Sequence, residues 1–158
     1  MGRWTTEVTL DVAWGEMDAL GHVNNVRYIA WAETARIALF RQLGLATLPD
    51  DPVGPILARI ALFRQLGMAV LPEDPVGPIL ARIECDYLEP VEYPARITVG
   101  IRAERVGNSS ITLEHEIWRT GAPERVVARG KAVVVLINYA TQEKVRVPDA
   151  VRVALVSG

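Results

Sequence analysis

The chain has 158 residues, of which 50% are hydrophobic and 23% are charged, and its formal net charge at pH 7 is −2. This composition suits a single globular domain with a sizeable core and excludes a disordered chain. The small negative charge predicts no basic surface, so we expect neither a nucleic-acid partner nor a membrane partner.

Cysteine usage and the lack of long apolar runs restrict the class of protein further. A single cysteine, Cys85, excludes an internal disulfide and permits a reducing compartment. No apolar run approaches the roughly 20 residues that span a bilayer. The N-terminal residues lack the apolar core of a signal peptide. We therefore expect a cytoplasmic protein.

The first part of the chain predicts a strand, a loop and a long helix. Apolar and polar residues alternate between Glu7 and Trp14, which is the period of a strand. A loop from Gly15 to Val23 follows, and it contains an aspartate, a glycine and a histidine. From Asn24 to about Leu43 the apolar positions repeat at helical spacing around most of the circumference, which indicates a helix packed against other structure.

A 23-residue segment then occurs twice in succession. Residues 35–57 and 58–80 are identical except at three positions. Two copies do not make a solenoid, so we interpret the repeat as a recent tandem duplication inside one domain spanning residues 1–158. The simplest placement keeps the first copy in the core helix and the end of the second copy in a strand, with residues 56–67 as an extra helix. The competing placement docks the second copy and interrupts the helix.

The rest of the chain is rich in strands. Alternation predicts strands over Ile79–Tyr87, Ala95–Arg105 and Ile111–Trp118, and a valine-rich strand over Arg125–Asn138. A short helix from Pro148 to Leu155 would close the chain. This order predicts an α+β domain in which an antiparallel sheet of about five strands curls around one long helix.

At the loop and the helix start, the sequence resembles a known family. The stretch Asp18-Ala-Leu-Gly-His-Val-Asn-Asn25, followed by Tyr28 and by Glu33-Thr-Ala-Arg36, is similar to the hot-dog-fold acyl-CoA thioesterases of the 4-hydroxybenzoyl-CoA thioesterase type. The similarity extends over nearly the whole chain except one repeat copy. It implies hydrolysis of a fatty or aromatic acyl-CoA, no metal or redox cofactor, and a homodimer or homotetramer with sites at the dimer interface.

Thioester hydrolysis needs a nucleophile, or a base for water, and donors aimed at the carbonyl oxygen. A carboxylate beside a helix N-terminus can supply both, because the first amides of a helix lack internal acceptors and the dipole favours negative charge there. The resemblance makes Asp18 the catalytic carboxylate and the Asn25 backbone amide the group that polarises the carbonyl. Asn24 and Asn25 are also good N-cap residues in their own right.

Four further residues have structural as well as functional interpretations. His22 could orient the substrate or assist proton transfer, or it could be a structural loop histidine. We expect Glu33 and Arg36, one helical turn apart, to pair and to stabilise the loop. His115 lies on an apolar strand face, which favours a core or interface histidine over a catalytic one.

Coenzyme A carries phosphates, so amide-rich and basic positions are candidates for binding it. Asn108, Ser109 and Ser110 in a hairpin, with Arg129 and Lys131 on the last strand, match positions that the family often uses. A solvated strand face explains the two basic residues equally well.

Other functions have less support. The sequence contains no Gly-x-Ser-x-Gly elbow, no metal-ligand cluster among its two histidines and one cysteine, and no phosphate-binding glycine loop. Two alternatives stay open. One is a hydratase or dehydratase of the same fold that uses His22, and the other is a non-catalytic acyl-CoA-binding protein whose duplicated segment reshapes the acyl tunnel.

Overall fold

The computed structural model describes residues 3–45 and 76–156 of the chain. Each element predicted within these ranges is present, with ends that differ by up to three residues. The elements are β1 (Thr6–Asp11), a 3-10 turn (Trp14–Glu16), α1 (Asn25–Gln42), β2 (Val76–Tyr87), β3 (Arg96–Val106), β4 (Ser110–Arg119), β5 (Ala122–Asn138) and α2 (Asp149–Val156).

The five strands form one antiparallel sheet in the order β1-β3-β4-β5-β2. Alternate residues of β4, including Leu113 and Ile117, are completely buried on one face, and α1 buries Ala35 and Leu39 against the same core. Full burial of each leucine or isoleucine contributes about 1.5–3 kcal/mol. The predicted hot-dog fold, a sheet wrapped around one long helix, is confirmed.

Local sequence signals set both ends of α1. The Asn24 side chain accepts a hydrogen bond from the Val26 amide at 3.0 Å, so the predicted N-cap is confirmed. At the other end, Gly44 has φ +67°, and the amide of Leu45 donates to the carbonyl of Phe40 at 2.9 Å. A glycine in the left-handed region with this bond is a common helix stop, because a side chain there would be strained.

The repeat contributes to both described ranges. Residues 35–42 of the first copy belong to α1, and Val76 to Leu80 of the second copy begin β2. This agrees with the placement that keeps the first copy in the core helix. The extra helix expected over residues 56–67 lies outside the described residues, and the duplication as an evolutionary event stays a prediction. None of the described helices is long and apolar enough to cross a membrane.

Candidate active site

The loop before α1 folds back on itself as a short antiparallel ladder. The Asn24 amide donates to the Glu16 carbonyl at 2.9 Å, Met17 pairs with Val23, and the Asp18 amide donates to the His22 carbonyl at 2.7 Å. The ladder turns through Gly21, whose φ of +82° favours glycine. Asp18 lies opposite His22, three residues before the start of α1, which corresponds to about 10 Å at 3.3 Å per residue.

The two oxygens of the Asp18 carboxylate have different surroundings. Oδ1 accepts hydrogen bonds from the amides of Leu20 at 2.8 Å and His22 at 3.3 Å, which is the geometry of an Asx turn. Oδ2 accepts no hydrogen bond from any described residue, and the side chain is half-buried. One oxygen therefore holds the loop, and the other has no partner among the described residues.

The first turn of α1 contains an unused donor. The Asn24 side chain caps the Val26 amide, and the Asn24 carbonyl accepts from the Arg27 amide at 2.9 Å. Within residues 3–45 and 76–156, the amide of Asn25 donates to no group, and Asn25 is exposed. An N–H at this position lies at the positive end of the helix dipole. It can bind an oxygen atom that gains negative charge.

Glu16 stabilises the loop, and the sequence interpretation missed it. Its side chain is only 9% exposed. One oxygen accepts from the Ala13 amide at 2.9 Å, and the other accepts from Arg27 Nε at 2.8 Å and Trp31 Nε1 at 3.3 Å. Glu16 and Asp18 are two residues apart in sequence, yet one carboxylate is saturated with donors and the other is half open.

The predicted pairing of Glu33 with Arg36 is confirmed at 3.5 Å. No hydrogen bond among the described residues joins either side chain to the loop, so the stabilising role that we expected for them belongs to Glu16. Spacing alone could not reveal this, because the partners of Glu16 lie 11 and 15 residues further along the chain.

His22 is hydrogen-bonded to Asp18 only through the backbone of His22. The His22 ring faces Glu92, with Nε2 to Oε1 at 3.6 Å, and both side chains of this pair are substantially exposed. The backbone of His22 exchanges hydrogen bonds with Asp18 as part of the ladder. This placement gives His22 a clear structural function in the loop, and its part in chemistry stays a prediction.

His115 and Cys85 lie in the core side of the sheet. Burial, with a smaller contribution from the charge of Arg36, lowers the pKa of His115 to about 4. The residue is 1% exposed, and its Nε2 has no partner among the described residues, so the interpretation as a core histidine is supported. Cys85 is half-buried, and burial raises the pKa of its thiol.

The hairpin residues proposed for coenzyme A lie where β3 turns into β4. The carbonyls of Asn108, Ser109 and Ser110 accept from the amides of Val147, Leu136 and Gly107, respectively, at 2.7–2.9 Å. This hairpin follows the end of β3, whereas the start of β3 pairs with Asp11 shortly before the Asp18 loop. Within one chain, the hairpin and the loop are therefore at opposite ends of β3, which is about 30 Å long.

The two basic candidates lie on the outer face of the sheet, which we define as the face opposite α1. Lys131 pairs with Glu104, and this hydrogen bond raises its pKa; the residue also stands between Glu84 and Glu114 on the neighbouring strands. Arg129 stands in the same way between Asp86 and Glu116. The coenzyme A role of all five residues stays a prediction.

No group of three or more metal-ligating side chains is placed to hold a metal ion in the described parts of the chain. The arrangement that remains is a carboxylate oxygen and a backbone N–H, both unpaired, on one short loop. The carboxylate oxygen can attack a carbonyl carbon or take a proton from water, and the N–H can stabilise the carbonyl oxygen as it gains negative charge.

Residues 12–155 match the thioesterase-like superfamily. Among solved structures, the PA2801 protein of Pseudomonas aeruginosa is 29% identical, with 96% of this chain and 98% of that chain covered and a TM-score of 0.70. A thioesterase from Thermus thermophilus, solved in complex with coenzyme A and zinc, is 27% identical, with 99% and 96% covered and a TM-score of 0.71.

A 1,4-dihydroxy-2-naphthoyl-CoA thioesterase from Synechocystis shares the fold at 14% identity, with 96% and 95% covered and a TM-score of 0.69. No curated protein matches the chain. The family match covers residues 12–155, which include the Asp18 loop, α1 and strands β2 to β5. The chain therefore belongs to the thioesterase-like superfamily and is a thioester hydrolase of the hot-dog fold.

Proposed function

We propose that this chain hydrolyses an acyl-CoA, with a fatty or aromatic acyl group, to the free acid and coenzyme A. Asp18 is the nucleophile or general base, and the Asn25 amide polarises the thioester carbonyl. The observation that carries this proposal concerns two groups at the Asp18 loop. Among the described residues, Asp18 Oδ2 accepts no hydrogen bond, and the Asn25 N–H at the end of the loop donates none. The coenzyme A complex of the Thermus thermophilus thioesterase supports the choice of thioester.

The geometry allows two routes to the same products. In the first, Asp18 Oδ2 adds to the carbonyl carbon, the carbon–sulfur bond breaks, and coenzyme A leaves as the thiolate. Water then hydrolyses the mixed anhydride on Asp18. In the second, Asp18 takes a proton from a water molecule as that water adds to the carbonyl carbon. The carbon–sulfur bond of the tetrahedral intermediate then breaks, and the departing thiolate of coenzyme A takes up the proton from Asp18. In both routes the carbonyl oxygen gains negative charge, which the Asn25 N–H stabilises.

A second copy of the chain would complete the site in this proposal. The large apolar side chains of Trp14, Leu20 and Val26 around the loop are 76%, 82% and 67% exposed. β2 is an edge strand, and edge strands of this length pair readily with another chain. We therefore propose a homodimer or homotetramer, whose mass light scattering would measure.

The test compares the wild type with Asp18→Asn on a panel of acyl-CoAs, using a reagent that detects the released thiol. The asparagine keeps an oxygen that can accept from the Leu20 and His22 amides, so the loop should fold as before. We expect the wild type to hydrolyse at least one acyl-CoA, and the substitution to lower kcat by about 10²–10⁴-fold.

Asp11→Asn is the matched control, because Asp11 is an exposed carboxylate at the end of β1 that pairs only with Arg96. It should leave kcat unchanged. A wild type that is inactive on every chain length, or an Asp18→Asn variant with full activity, would contradict the proposal. An enoyl-CoA in the panel, with analysis of its products, separates hydrolysis from hydration.

A further inference from the structure

The start of α1 is held on a second side by the segment 87–91, which follows β2. The Val23 amide donates to the Val91 carbonyl at 2.8 Å, and the Val91 amide donates to the Tyr28 hydroxyl at 3.1 Å. Glu16 holds the same helix start from within the loop. Two independent groups of hydrogen bonds therefore meet at the first turn of α1.

Tyr87 is hydrogen-bonded to the residue that carries the unpaired amide. Its hydroxyl donates to the carbonyl of Asn25 at 3.2 Å. Its ring meets the ring of Tyr28 edge-on, with centroids 5.3 Å apart and planes at 88°, an arrangement that aromatic pairs favour. Tyr28 is buried in the core, so the exposed Tyr87 ring is positioned by a fixed neighbour.

We propose that Tyr87 is a positioning residue for thioester hydrolysis, which fixes the Asn25 residue so that its N–H is aimed at the thioester carbonyl. This inference rests on the proposed function, in which the Asn25 amide binds that oxygen. A carbonyl oxygen has two lone pairs, so Asn25 can accept from Tyr87 as well as from the helix. The hydroxyl thus adds a restraint without removing a helical bond.

The phenol suits this task chemically. Burial, followed by the influence of the neighbouring Cys85, raises the pKa of Tyr87. The hydroxyl therefore keeps its proton and remains a donor at neutral pH. Phenylalanine at this position would keep the ring contact with Tyr28 and lose the hydrogen bond to Asn25, together with the interaction of the hydroxyl with the Cys85 thiol.

The test is Tyr87→Phe beside the matched variant Tyr139→Phe. The Tyr139 hydroxyl also donates to a backbone carbonyl, that of Pro78 at 3.1 Å, at the opposite end of β2. Each variant loses one hydrogen bond from a tyrosine hydroxyl to a backbone carbonyl at one end of β2. Of the two bonds, only that of Tyr87 reaches the start of α1. We expect Tyr87→Phe to lower kcat about tenfold with KM changed less than about twofold, because small misplacements of a catalytic donor are costly. Tyr139→Phe should keep both constants.

Hydrogen–deuterium exchange gives a readout that does not depend on turnover. The amides of Val26 and Arg27, which donate to Asn24, should exchange faster in Tyr87→Phe than in the wild type or in Tyr139→Phe. Unchanged kcat in Tyr87→Phe, beside an inactive Asp18→Asn, would overturn the positioning role and leave the proposed function standing. A raised KM with unchanged kcat, or equal losses in both phenylalanine variants, would also overturn it. A wild type without activity would overturn both proposals.

Discussion

The Asp18 loop and the outer face of the sheet are both rich in charged residues, but they use their charges differently. On the outer face, Lys131 and Arg129 each stand between carboxylates of the two neighbouring strands. In the loop, Glu16 is saturated with donors, whereas Asp18 Oδ2 and the Asn25 N–H have no partners among the described residues.

This contrast distinguishes charged groups that pair within the chain from polar groups that have no partner among the described residues. Buried polar groups in folded proteins are nearly always paired within the protein, as Glu16 is, whereas the exposed Asn25 N–H is accessible to a ligand or to water. On the outer face, the two basic candidates already lie beside carboxylates of the same chain. The loop uses a buried carboxylate to fix its frame and keeps two groups open. The predictions below test that distinction, in order of the effect expected.

The core also contains His115, whose Nε2 is unpaired among the described residues and whose burial should appear as a pH dependence of stability. Its pKa is about 4 in the folded chain, below the ordinary value of 6.5. Between these pH values the unfolded chain binds the extra proton, so the free energy of unfolding should fall as pH drops from 6.5 to 4. The stabilisation is fully present above pH 6.5, and the loss approaches about 3 kcal/mol.

Chemical denaturation at several pH values, on the wild type and on His115→Gln, measures this dependence. His22 and all carboxylates are retained in the variant, so the difference between the two curves reports His115. If the two curves stay parallel from pH 7 to pH 4, His115 is not the group responsible.

Removing Glu16 should have the next largest effect. Glu16→Ala leaves the Trp31 indole N–H and the Ala13 amide without their acceptor and Arg27 without its ion-pair partner. We expect the free energy of unfolding to fall by about 2 kcal/mol, since Arg27 can turn to water while Trp31 cannot. Activity should fall as well, because the ladder holds Asp18 in place.

Asp86→Ala is the control for that substitution, because Asp86 is an exposed carboxylate that pairs with Arg129 across 4.0 Å on the outer face. Its loss should cost well under 1 kcal/mol. Equal destabilisation in the two variants, measured by denaturant titration, would remove the distinction between the loop and the outer face.

Lys131→Met should have the smallest effect. Lys131 is already surrounded by Glu84, Glu104 and Glu114, so we expect KM for acyl-CoA to match that of Lys144→Met, a change at the only other lysine in the sequence. A severalfold rise of KM in Lys131→Met alone would instead support its predicted contact with coenzyme A.

Local patterns predicted most of the fold. Each of these patterns extends over only a few residues: the alternation in the strands, and the asparagine cap and glycine stop of α1. Each can therefore be recognised in a short window of sequence. The Asp18 loop could be predicted for a related reason, because its carboxylate, its glycine turn and the helix start lie close together in the sequence.

The groups that hold the Asp18 loop and the start of α1 could not be predicted from the sequence. Tyr87 meets Asn25 across 62 residues, and Glu16 reaches Arg27 only because the loop between them turns back. Such contacts depend on how the sheet wraps around α1, which no periodicity records. The pairing of Lys131 and Arg129 with carboxylates likewise depends on strand register, which is set by the whole sheet.

The Asx turn at Asp18 also removes the symmetry of its carboxylate. In a free carboxylate the two oxygens share charge equally and exchange by rotation. Here two amides hold Oδ1 in place, so the two oxygens are distinct and only Oδ2 is left without a partner among the described residues. In the proposed mechanism, a reaction through Oδ2 would leave Oδ1 in its hydrogen bonds, and the loop would not need to rearrange.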